Sequence, residues 1–137
     1  MKVLLTGSSK GIGYEIAKNL LAEGHELALH YNKNESPLGA LLKKDKTGSF
    51  SIQADLSQQE EIKKMVENTI GKLSFPDCII NNAGIAESAD ISLDIHDWSK
   101  MFDKTIDINL KAPSIIFKEF LNYKREKKIN SRLRIIN

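Results

Sequence analysis

Between residues 6 and 13 the chain reads Thr6-Gly7-Ser8-Ser9-Lys10-Gly11-Ile12-Gly13, and this run constrains its fold more tightly than any other. A short apolar run precedes it and a helix-length segment follows. Three residues without side chains at such a junction let the backbone bend sharply and approach a bulky anion, while free amides at the helix start point outward. Glycines also serve plain turns, but a strand before and a helix after are the context in which such a cluster cradles a diphosphate. The rest of the chain obeys the same grammar. Short apolar runs alternate with helix-length segments, the pattern of a parallel sheet built from βαβ units.

The spacing predicts strands over residues 2–6, 26–31, 50–54, 77–81 and 133–136. Joined by right-handed crossovers, five such strands give the order 3-2-1-4-5, so the expected fold is α/β, a Rossmann-type doubly wound parallel sheet that ends with its fifth strand. The first helix is expected to carry Ile12, Ile16, Leu20 and Leu21 on one apolar face and to stop at Gly24. Asn32 to Glu35 and Pro37 mark a loop before a short helix over 38–42. Ser57 and Glu60 have capping-box spacing, and Ile62, Met65, Val66 and Ile70 form the stripe of the helix that follows. From about residue 97 a long helical stretch runs to about 127, interrupted near Pro113. The chain of 137 residues suits one domain, and no linker or repeat divides it.

Charge and composition exclude several classes. Twenty basic against 18 acidic side chains leave a net charge of +2, which gives no general argument for binding nucleic acid or a membrane. No apolar run has membrane-spanning length, and Val3-Leu4-Leu5 is too short a core for a secretory signal, so the expected location is cytoplasmic. Cys78 lies in an apolar run and reads as a core thiol, and no metal site is expected. Lys124-Arg125-Glu126-Lys127-Lys128 reads as the solvated end of a helix.

The glycine spacing is Gly-x-x-x-Gly-x-Gly, and Asn81-Asn82-Ala83-Gly84 follows the fourth strand, Asp55-Leu56 the third, and Asn109 stands within Ile108-Asn109-Leu110. In that order these motifs resemble the short-chain dehydrogenase/reductase family along the whole chain. Thr6 to Gly13 and His30-Tyr31-Asn32 look most like its beta-ketoacyl-acyl-carrier-protein reductase-like members. The resemblance implies a dinucleotide site made by Gly7, Ser9, Lys10, Gly11, Ile12, Gly13, Asn32, Lys33, Asp55, Leu56, Asn82, Ala83 and Gly84. Asp55 would contact the adenine and Asn82-Ala83-Gly84 would wall its ribose. Each has a plainer alternative: Asp55 at a helix start also favours the dipole, and Asn82 also forms turns.

NAD enzymes of this architecture place an acid about 20 residues past the glycines, where it accepts from the ribose 2′-hydroxyl. Lys33 stands there, and no carboxylate follows until Glu35. Lys10 resembles the basic residue that NADP-using members carry in the glycine turn. Two lysines around a 2′-phosphate favour NADP(H), with NAD(H) open if Glu35 serves the ribose.

Asn109 is a mediocre helix former in mid-helix, and Pro113 four residues on has no amide hydrogen to give its carbonyl. The resemblance implies that this carbonyl holds a water serving a catalytic Lys; the alternative is a kink that wraps the helix around the sheet. The family transfers hydride between nicotinamide and a carbonyl or alcohol carbon, using a Ser after the fifth strand and a Tyr-x-x-x-Lys beyond it. This chain ends at Arg134-Ile135-Ile136-Asn137, inside that strand, so these groups are expected to be absent. Tyr14-Glu15-Ile16-Ala17-Lys18 and Tyr123-Lys124-Arg125-Glu126-Lys127 match the pattern, but one lies beneath the glycine turn and the other at the far end of its helix. The chain is therefore expected to bind cofactor without turnover. Its uncovered sheet edge and apolar faces point to self-association. A non-catalytic module that binds a nucleotide, or a partner chain that completes the sheet, is the alternative function.

Overall fold

The computed structural model describes residues 1–86 and 90–137. Strands β1 (Lys2–Leu5), β2 (Glu26–Tyr31), β3 (Phe50–Gln53), β4 (Cys78–Ile80) and β5 (Arg134–Ile136) form one sheet in the order β3-β2-β1-β4-β5. All four pairings are parallel, with Leu4 beside Ala28 and Ile79, and Ile79 beside Ile135. The helices are α1 (Gly11–Ala22), α2 (Ser36–Leu42), α3 (Gln59–Leu73), α4 (Ile95–Ile106) and α5 (Ala112–Glu126). A π-helical turn, Asp107–Lys111, joins the last two.

Strand alternation divides the core between the two faces of the sheet. Leu4, Ala28, Ile52 and Ile79 meet Ile62, Met65, Val66 and Leu73 of α3 and Ile116 and Phe120 of α5. Val3, Leu5, Leu27, Leu29 and the buried thiol of Cys78 meet Ala17 of α1 and Leu38 of α2 on the other side. Every central strand is thus apolar on both faces, as a parallel sheet covered on both sides requires. Helix α1 closes as expected: Gly24, at φ +77°, and His25 donate to the carbonyls of Leu21 and Leu20, each at 3.0 Å.

Three local expectations are corrected. Ile12 is 77% exposed and does not share the apolar face of Ile16, Leu20 and Leu21. It stands on the first helical turn, above the sheet's carboxyl edge, where no core lies beneath it. Ser57 and Glu60 form no capping box: Gln58 is the N-cap of α3, without a side-chain bond. Instead Asp55 Oδ1 accepts from the Ser57 amide at 2.9 Å and hydroxyl at 2.8 Å, and Glu61 accepts from the Asp55 amide at 2.6 Å. A carboxylate two residues upstream outcompetes the hydroxyl, because its charge strengthens both bonds. The helix near Pro113 is also not broken. The chain stays helical and takes up one extra residue in the π turn, where the Ala112 amide donates to the Asp107 carbonyl, and Pro113 falls in the first turn of α5, where a missing amide costs little.

Helix α4 buries none of its residues. Ile95, Trp98, Phe102 and Ile106 recur at helical spacing on one exposed face, and Leu110, Phe117 and Leu121 extend the apolar surface onto the next segment. Trp98 and Phe102 stack on each other at 5.3 Å. The accessible surface is 8390 Å² for 15.4 kDa, against about 7,200 Å² for a compact monomer of that mass. Among the described residues no helix is long and apolar enough to cross a membrane.

Candidate functional site

The parallel sheet carries the ends of β1, β2 and β4 to one edge, and there Thr6 begins a web of bonds that shapes the glycine turn. Its amide donates to the Ile80 carbonyl at 3.0 Å, and its hydroxyl oxygen accepts from the Ala83 amide at 3.0 Å. Asn82 Nδ2 donates to the carbonyls of Thr6 and Gly7, 3.0 Å each. Asn82 is therefore a clasp between two distant loops and more than a local turn former. Ser8 donates through both its amide and its hydroxyl to the His30 carbonyl, each at 2.9 Å.

Two glycines are required by space. A Cβ on Gly7, whose φ is +66°, would lie 2.7 Å from the Ala83 Cα, and one on Gly13 would overlap the Gly7 carbonyl and Asn82 Nδ2. Lys10, the extended N-cap of α1, makes no side-chain cap. The first amides of the helix thus keep their hydrogens for an outside acceptor, at the positive end of the dipole.

These loops bound a cleft of about 590 Å³. Gly7, Ser9, Lys10, Gly11, Ile12, Gly13, Asn32, Lys33, Leu56, Asn82, Ala83 and Gly84 all line it, as the sequence reading grouped them. Asp55 sits beside Leu56 but is outside the lining, with one carboxylate oxygen committed to Ser57; those bonds, with lesser help from the charge of Lys33, hold its pKa below the usual carboxylate value. Asn109 is also outside the lining. Its side chain grips the backbone of Ile85, accepting from the amide at 2.9 Å and donating to the carbonyl at 2.8 Å, and so fixes the segment after Gly84. Pro113 leaves its main-chain carbonyl without the ordinary helical donor, and the π turn lies across that position.

Four lining residues were not anticipated: His30, Asn34, Ile85 and Ile108. His30 is 2% exposed. Its Nδ1 accepts from the Gly7 amide at 3.0 Å and its Nε2 donates to the Ala54 carbonyl at 3.0 Å, which defines a neutral ring with the proton on Nε2. Burial pushes its pKa below the ordinary value, against a smaller upward pull from the Ala54 carbonyl. A polar residue inside an otherwise apolar strand was the available signal. Neither Tyr14 nor Tyr123 lines the cleft; Tyr14, on α1, packs partly buried against the core, and Tyr123 lies under Lys127 at the far end of α5. A second, more open hollow of about 450 Å³ lies at that end, lined by Lys118, Lys124, Arg125 and Lys128 and by none of the motif residues.

A parallel sheet of this order, with a glycine turn, an uncapped helix start and a clasp from the neighbouring strand at one edge, defines a Rossmann-type fold with a candidate dinucleotide cleft. The family model described as short chain dehydrogenase matches residues 1–137, and the chain belongs to that family. It is 33% identical over 112 residues to the 3-oxoacyl-(acyl-carrier-protein) reductase FabG of Staphylococcus epidermidis, covering 80% of this chain and 45% of that protein. It is 28% identical over 127 residues to glucose 1-dehydrogenase 2 of Bacillus subtilis, covering 88% and 47%. The chain thus spans about half the length of the curated relatives it matches. A metagenomic short-chain oxidoreductase solved in complex with NADP superposes with a TM-score of 0.80 at 26% identity, covering all of this chain and 61% of the other. A blue fluorescent protein from a metagenomic library, solved with NADPH, gives 0.74 at 28% identity, covering 88% and 50%.

Proposed function

We propose that this chain is the NADP(H)-holding part of a short-chain oxidoreductase that moves hydride to or from a carbonyl or alcohol carbon. The observation that carries the reading is the cleft itself, where space too small for a Cβ at Gly7 and Gly13 meets the uncapped start of α1. A diphosphate fits that donor set: amides around Gly11 to Gly13 bind its oxygens, and Lys10 adds charge at the rim. Asn82 holds the turn in shape, Ala83 and Gly84 wall the ribose, and Asp55 and Leu56 flank the adenine. When bound, the nicotinamide supplies the hydride. Lys33 with Asn32 faces the adenosine end, and among the described residues no carboxylate lines the cleft there, which supports the phosphorylated cofactor over NAD(H). The NADP and NADPH complexes of the two similar structures support it further. Asn109 fixes the Ile85 segment, and its carbonyl is the proposed holder of a water on the proton path.

No Tyr-x-x-x-Lys pair of this chain reaches the cleft, so the expected behaviour is binding without turnover. Calorimetric titration with NADPH and NADH, followed by NADPH oxidation against acetoacetyl thioesters, tests both halves. Tighter NADH binding contradicts the cofactor assignment, and turnover contradicts the inactivity. Lys33→Glu is expected to weaken NADPH by about tenfold or more, since it replaces an attraction to the 2′-phosphate with a repulsion. The exposed apolar face of α4 favours a companion reading, in which the chain associates with another copy or with a partner that covers this face.

A further inference from the structure

The loop between β2 and α2 presents Asn32, Lys33 and Asn34 to the cleft, but the next residue, Glu35, is not part of its lining. Its carboxylate is held elsewhere. Ser51, in the middle of edge strand β3, donates its hydroxyl to Glu35 Oε1. The same strand fixes the start of the loop, with Gln53 Nε2 donating to the Asn32 carbonyl at 3.1 Å. Asn34 is also committed, its side chain accepting from the Ser36 amide at 3.0 Å. The loop is therefore pinned at both ends, and the Glu35 carboxylate beside its cationic tip is held on β3, outside the cleft lining.

We infer that Ser51 is a specificity-determining positioning residue: by tethering the Glu35 carboxylate to β3, it keeps that carboxylate from the 2′-phosphate position beside Lys33. A carboxylate on this side of the ribose has two effects of opposite sign. It accepts from a 2′-hydroxyl and so favours NAD(H), and it repels a 2′-phosphate dianion. The chain carries such a carboxylate two positions past Lys33 and neutralises its influence by direction, without removing it. Tyr31 contributes from β2. Burial, then the nearby Glu35 charge and a hydrogen bond to that carboxylate, raise its phenol pKa.

The inference rests on the NADP(H) reading, and binding experiments separate the two. The ratio of NADPH to NADH dissociation constants is measured for the wild-type chain, Ser51→Ala, Ser51→Thr and the double variant Ser51→Ala/Glu35→Gln, with far-UV circular dichroism to check each fold. Ser51→Ala is expected to lower the preference for NADPH about three- to tenfold, the scale of one freed charge partly screened by solvent. Ser51→Thr keeps the donor and the wild-type ratio, and the double variant restores it. The same ordering is expected for adenosine 2′,5′-bisphosphate against AMP, which have no nicotinamide. An unchanged ratio in Ser51→Ala, or a double variant as impaired as Ser51→Ala, overturns the tether while leaving the cofactor assignment intact. A wild-type chain that binds neither dinucleotide, or prefers NADH, overturns both.

Discussion

Gly7, Gly11 and Gly13 occupy one turn but are required for separable reasons, so alanine at each has a different cost. Gly11 has φ +56° with nothing within 4 Å of a Cβ, so Gly11→Ala bears only left-handed backbone strain, about 1–2 kcal/mol. Gly13 has an ordinary φ, but its Cβ would overlap the Gly7 carbonyl and Asn82 Nδ2. Overpacking costs about 1–3 kcal/mol, and contact with main-chain atoms, which cannot swing aside, puts Gly13→Ala near the top of that range; better helix propensity offsets about 1 kcal/mol of it. Gly7 carries both burdens, φ +66° and a Cβ 2.7 Å from the Ala83 Cα, so Gly7→Ala is expected to cost about 2–5 kcal/mol. Urea unfolding followed by far-UV circular dichroism measures all three. If Gly11→Ala proves as damaging as Gly7→Ala, the close approach of the two loops is not what demands glycine here, and the reasoning fails.

Acid should loosen the same region. His30 is held neutral below its ordinary pKa of 6.5, so the unfolded chain takes up the proton first; stability is present above about pH 6.5 and lost as pH falls below it, at no more than about 1.4 kcal/mol per pH unit. Urea midpoints between pH 7.5 and 5 check this, and His30→Gln should flatten the profile over that window. Asn109→Ala removes two hydrogen bonds to Ile85 and is expected to cost about 1–3 kcal/mol, with faster hydrogen exchange at the Ile85 amide; unchanged exchange there refutes the grip. Phe102→Lys, on the exposed face of α4, should reduce self-association in light scattering while moving the unfolding midpoint little. A wild-type chain monodisperse as a monomer at high concentration contradicts the association itself.

The strand order was legible because apolar runs and handed crossovers leave few alternatives, and the cleft was legible because glycine spacing and Asn82-Ala83-Gly84 are tied to strand ends. What escaped was decided by competition among neighbours. Ser57 looked like a cap until Asp55 took its hydroxyl, and Ile12 matched a helical stripe although the helix begins above the core. His30 stands out as a polar residue in an apolar strand, but its role depends on an amide 23 residues upstream. Pro113 announced a disturbance, but whether the chain would break or absorb it in a π turn depends on packing of α5 against α3.

Asn82 reaches back 76 residues to the Thr6 carbonyl, and this separation bears on how the chain comes off the ribosome. The first βα unit emerges early, but its bend has no lasting partner until the fourth strand has been made and laid beside the first. Nascent chains shorter than that point should keep a loose amino-terminal loop open to proteases, whereas those extending past Gly84 should become resistant there in a single step.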